Sequence, residues 1–131
     1  MESLIIEIPG KGDMDATVES ILQSAAARSW KNPATHNLRQ ILLNFGKEVR
    51  PVKVIELCRP DYSFKILEMN DERSAAVFMP CRISVYEKED GKAYISLMNP
   101  LLMTGLLPEP VAQVMVEASD ELMEVVREAI G

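Results

Sequence analysis

Hydrophobic and polar residues alternate most regularly between Ala76 and Pro100, where the pattern predicts a β-hairpin. Val77, Met79, Cys81, Ile83 and Val85 share one face by the two-residue period, as do Ala93, Ile95 and Leu97 in the return strand. A two-residue Asp90-Gly91 turn would set these apolar groups on opposite faces. A three-residue Glu89-Asp90-Gly91 loop instead pairs Val85 with Ile95 and Ile83 with Leu97, so the pattern selects that register, with Gly91 left-handed. The same register sets Tyr86 opposite Tyr94 on the second face and Cys81 opposite Asn99 on the first. Phe78, Pro80 and Met98 join the tyrosines beside Arg82 and Ser84. That second face is not fully polar, which predicts a cover from helices or from another subunit.

The rest of the chain divides by the same reading. Leu4–Ile8 predicts a short strand closed by Pro9-Gly10, and Met14, Val18, Ile21, Leu22 and Ala25 predict a helix to about Ala27, with Asp13 among its cap residues. A short strand is expected around Trp30. Leu38, Ile41, Leu42 and Phe45 predict a two-turn helix capped by Asn37 or Thr35 and ended at Gly46. Pro51–Cys58 reads as a β-branched strand, and Arg59-Pro60-Asp61 starts a helix that runs to Asn70. Asn99–Leu107 is expected as a loop or short helical turn. Beyond Pro108 and Pro110 a long helix reaches Ile130, its stripe formed by Val111, Met115, Ala118, Leu122, Val125 and Ala129. Its acidic face (Glu117, Asp120, Glu121, Glu124 and Glu128) reads as solvated surface. The order implies one α+β domain over residues 1–131, a mostly antiparallel sheet packed against helices.

Composition narrows the function classes. At 131 residues and 14.7 kDa, the chain can build a core without staples. A net charge of −6 argues against a nucleic-acid partner. Leu101–Leu107, the longest apolar stretch, is too short to span a membrane, and Glu2 stands where an export signal needs positive charge. Two cysteines are too few for a disulfide framework, so reduced thiols in a cytoplasm are expected.

The chain contains no Walker loop, G-x-G-x-x-G, G-x-S-x-G, H-E-x-x-H or C-x-x-C signature, and no cofactor is specified. Among its carboxylates only Glu56, inside its strand, stands out as an acid or base. The thiols carry more chemistry. Cys58 ends a strand just before a helix N-terminus and adjoins Arg59, a setting that favours a thiolate nucleophile. If the strands of Cys58 and Cys81 are neighbours, both sulfurs approach one pocket near Asn99. His36, at the edge of the second helix, would complete a soft metal site with Cys58 and Cys81. Packing is the plainer role for either cysteine, and a cap or surface role for the histidine.

The segments LCRPDYSFKIL and MPCRISVYEKEDGKAYISLMN, with SWKNPATHNLRQIL upstream, resemble the domain-of-unknown-function 302 family over residues 4–100. Arg59 stands where that family more often has asparagine, and Ser29 where glycine is expected before the tryptophan. The resemblance implies a TATA-box-binding-protein-like α+β fold, often dimeric, with no established reaction and no import of DNA binding. His36, Cys58, Pro60, Pro80, Cys81, Arg82 and Asn99 match its motif positions. The leading expectation is therefore a cytoplasmic, homodimeric domain that binds a small ligand or soft metal near Cys58, Cys81 and Asn99, with neither nucleic acid nor membrane as partner. A thiol-dependent redox protein or enzyme using Cys58, or a non-catalytic interaction subunit, are the alternatives.

Overall fold

A computed structural model describes residues 3–69, 71–102 and 104–131. Glu2, Asn70 and Met103, on which parts of the export-signal, helix-end and loop expectations fall, lie outside the described residues. The strands are β1 (Ile5–Pro9), β2 (Thr35–Asn37), β3 (Val52–Leu57), β4 (Cys81–Glu87) and β5 (Ala93–Met98). The helices are α1 (Met14–Ala27), α2 (Leu38–Leu43), α3 (Pro60–Leu67) and α4 (Glu109–Ile130). All strand pairs are antiparallel, in the order β1-β5-β4-β3-β2.

The hairpin takes the register selected by its pattern. Val85 faces Ile95 and Tyr86 faces Tyr94, while Gly91, at φ +78°, donates to Lys88 O at 2.9 Å. Val85 and Ile95 are fully buried on the face covered by α1 and α4. Ile21, Ile55, Leu57, Ile83, Val125 and Val126 complete that core. The amphipathic stripes of α1 and α4 supply its helical half. Asp13 caps α1 through a bond from Ala16 N at 2.8 Å, and Asn37 caps α2 through Gln40 N at 3.0 Å.

Three expectations are corrected. Residues Arg73–Phe78 form a 3-10 turn, so β4 begins only at Cys81. Pro80 has no N–H to give a ladder, and alternation in Val77 and Met79 therefore does not make a strand. The strand expected around Trp30 is reduced to an isolated bridge between Lys31 and Cys58, and the regular pairing comes later, at Thr35–Asn37. His36 thus lies within β2, opposite Val54, one residue before the Asn37 cap of α2. Finally, α2 forms with its apolar spacing but buries no residue, and Phe45 just beyond it is 77% exposed.

The second face of the sheet carries Ile5, Glu7, Val54, Glu56, Arg82, Tyr86, Tyr94 and Met98, and none of these is buried. Both buried apolar clusters lie elsewhere: the main core, and a smaller one where Ile66 and Ala75 pack on Val111, Val114 and Met115 of α4.

Candidate functional site

Where β3 ends, its core-facing Leu57 pairs with Cys81 at the start of β4. One residue on, Cys58 exchanges backbone bonds with Lys31 (2.7 and 2.8 Å), and Pro60 then opens α3 at a position where a missing N–H costs nothing. This brings the two free cysteines to one small void of about 20 Å³, which Trp30, Tyr62 and Ala118 also line. Cys58 Sγ lies 3.0 Å from Ser63 Oγ. Burial, helped by the nearby Cys58, pushes the Cys81 thiol up to about 11, so it stays protonated at neutral pH.

A larger apolar cavity, about 140 Å³, opens on the other side of Cys81. The 3-10 turn supplies Val77 and Phe78, the ends of β4 and β5 supply Arg82, Leu97 and Met98, and α4 supplies Met115, Ser119 and Leu122. Pro80 and Cys81 form the wall between this cavity and the void. The expected pocket near both thiols and Asn99 is therefore divided. Cys58 lines only the void, Cys81 and Arg82 line the cavity, and Asn99 lines neither. Asn99 instead ties the chain together, donating to Ser3 O at 3.0 Å and accepting from Leu101 N at 3.0 Å.

His36 does not join the thiols. It sits on the open face, where its Nε2 is 2.9 Å from Glu56 Oε2, whereas Cys81 faces the core. Arg82 Nη2 approaches the same Glu56 oxygen at 3.8 Å. Among the described residues, no group of three His, Cys, Asp or Glu side chains stands as a metal site.

The acidic face of α4 is not uniformly solvated. Glu121 accepts from Trp30 Nε1 at 3.1 Å, from Tyr62 Oη at 2.6 Å and from Arg59 Nη1 at 2.5 Å. Burial opposes its charge, but the bonds from Tyr62 and Trp30, with the Arg59 guanidinium, hold the carboxyl below its usual value. The same bond to Glu121 pushes the Tyr62 hydroxyl up to about 12. Arg59 is therefore committed to α4 rather than to Cys58. The available signal was positional: Glu121 lies beside the stripe residues Ala118 and Leu122, and Ser119 does the same on the other side.

The family model described as "Domain of unknown function DUF302" matches residues 6–129. No curated protein matches this chain. A crystal structure of an uncharacterized conserved DUF302 protein from Bacillus stearothermophilus superposes with a TM-score of 0.87, at 17% identity, covering 98% of this chain and 99% of that one. At that identity the likeness is one of fold.

Proposed function

This chain belongs to the DUF302 family, and from that premise we propose that it is a small-ligand-binding domain whose site is the cavity beside Cys81. The observation that carries this reading is the pocket itself, about 140 Å³ of mostly apolar space between the 3-10 turn, the ends of β4 and β5 and α4, with the exposed Val77 and Met98 at its rim. Apolar space of about 150 Å³ is enough to accept benzene or xenon. The test is toluene binding, followed by calorimetry and by stabilisation on heating. Saturable binding is expected, and Ser119→Leu, which fills the space, should abolish it while still unfolding cooperatively. Absence of binding by the wild type overturns the proposal.

The open sheet face supports a second element, association of two copies. It presents Ile5, Met98 and the stacked Tyr86–Tyr94 pair (centroids 6.5 Å apart) beside both signs of charge, from Arg82 and Lys88 to Glu7 and Glu56. A patch of mixed sign is suited to meeting itself across a two-fold axis. Sedimentation at micromolar concentration should give a dimer that Tyr94→Glu dissociates, and a wild-type species near 15 kDa would remove this element. Two free thiols suit a reducing compartment such as the cytoplasm. No described helix is long and apolar enough to cross a membrane.

One contact favours a second reading, thiol chemistry at Cys58: the Ser63 hydroxyl is placed to donate to a Cys58 thiolate. The 20 Å³ void beside it leaves little room for a substrate, so the cavity carries the preferred function.

A further inference from the structure

We infer that the small void between the two cysteines is a site for one soft monovalent metal ion, copper(I), bound by the sulfurs of Cys58, Cys81, Met79 and Met115. The first observation is where sulfur is gathered. Cysteine and methionine are 10 of the chain's 131 residues, yet these four are among the 12 that line the void. They come from separate segments: Cys58 just after β3, Met79 and Cys81 on either side of Pro80, and Met115 from α4. The void lies where the two apolar clusters meet. Cys81 packs against the main core, Met79 and Met115 belong to the smaller cluster, and Tyr62 packs against both. Both cysteines are free and lie within electrostatic reach of one another.

The second observation is size set against lining chemistry. About 20 Å³ holds one atom-sized guest and no more. A water there needs two to four polar partners, but the Tyr62 hydroxyl is given to Glu121 and the Ser63 hydroxyl is paired with Cys58. No Asp, Glu or His lines the void, so a hard cation finds no ligand set. Thiolate with thioether is the donor set that selects copper(I). Zinc is served by thiolate, imidazole and carboxylate, and two thiols alone leave its tetrahedron incomplete.

The third observation concerns charge. When two thiols take up one copper(I), two Cu–S bonds form, two protons leave and the metal keeps its oxidation state, so the centre carries one net negative charge. Arg59 lines the same void. Its Nη1 is held by Glu121, but its Nε is buried and has no hydrogen-bond partner among the described residues. A positive group beside Cys58 offsets the cost of that buried anion, and the Ser63 hydroxyl stands 3.0 Å from Cys58 Sγ, in place to donate to its thiolate.

The experiment titrates the full reduced chain with copper(I) under anaerobic conditions, against bicinchoninate as competing chelator, and reads the loaded protein by copper-edge X-ray absorption. One copper per chain with a first shell of sulfur alone is expected. Cys58→Ser and Cys81→Ser should each weaken binding by more than about a hundredfold, and Met79→Leu and Met115→Leu, which keep the volume, by about tenfold. Met98→Leu, in the neighbouring cavity, and His36→Ala, on the open face, should change nothing. Urea unfolding of each variant separates loss of a ligand from loss of the fold, and the absorption spectrum of the wild type needs no variant. No copper drawn from bicinchoninate, nitrogen or oxygen in the first shell, or weakened binding in His36→Ala overturns the site. Unchanged affinity in both methionine variants overturns the four-sulfur assignment, and displacement of copper by zinc overturns the choice of ion. Toluene binding in the larger cavity does not enter these outcomes, so the two readings fail separately.

Discussion

Replacing Glu121 by alanine removes the acceptor shared by Trp30, Tyr62 and Arg59. Trp30 is almost wholly buried, and the Glu121 and Arg59 side chains are 16% and 30% exposed, so water replaces the lost carboxylate only in part. A hydrogen bond to a charged group contributes about 1.5–3 kcal/mol, and the three here share one carboxylate and are not additive. About 3 kcal/mol is therefore expected for Glu121→Ala, or roughly 10 °C in melting temperature for a chain of this size. Glu121→Gln keeps one oxygen acceptor but loses the charge, and should cost about half as much. The pH dependence follows from the lowered carboxyl pKa. A group depressed in the folded state stabilises above its unfolded value of 4.5, and that contribution is lost as pH falls through the lower folded value. The gap between wild type and Glu121→Gln should therefore be full at neutral pH and narrow below 4.5. Urea unfolding followed by Trp30 fluorescence, with helix circular dichroism as a second probe, measures both effects. A Glu121→Ala variant within about 0.5 kcal/mol of wild type would refute the reasoning, placing the cluster among solvent-screened surface pairs.

The remaining predictions are smaller or chemical. Gly91→Ala meets no neighbouring atom within 4 Å but must hold φ +78°, so about 1 kcal/mol should be lost to the backbone alone, read as a lower urea midpoint. Cys58→Ser should leave a protein that iodoacetamide hardly alkylates until it unfolds, because Cys81 titrates near 11; fast alkylation of that variant would contradict the burial. Phe45→Ser should change stability by less than about 0.5 kcal/mol, since the ring is 77% exposed; a loss of core size would mean that α2 is covered in solution.

The legible parts of the chain were those where local chemistry and long-range packing demand the same residues. The hairpin is such a case: one period, one loop length and one glycine all require Val85 to face Ile95. The stripes of α1 and α4 are others. Legibility failed where a segment's surroundings decide its state. Val77 and Met79 continue the strand alternation, but Pro80 interrupts the ladder and the segment curls into a 3-10 turn. β2 is three residues long, too short for a periodic signal, so the sequence showed the helix edge at His36 but not its strand. Both thiols reach one void because Cys58 follows β3 and Cys81 opens the adjacent β4, yet Pro80 and Cys81 stand between Cys58 and the cavity, and His36 lies on the other face. Glu121 was read as solvated because its donors stand 59, 62 and 91 residues away, beyond any local pattern. The cavity is likewise a product of three separate segments, visible only once they meet.

The central claim, that the cavity beside Cys81 is a binding site, is tested most directly by methyl chemical shifts during a toluene titration. Met98, Met115, Leu97 and Leu122 line the cavity, whereas Leu43 and Val49 lie in the exposed apolar stretch around α2. Saturable shifts confined to the first group, lost in Ser119→Leu, are predicted. Shifts centred on Leu43 and Val49, with the cavity methyls unmoved, would contradict the account.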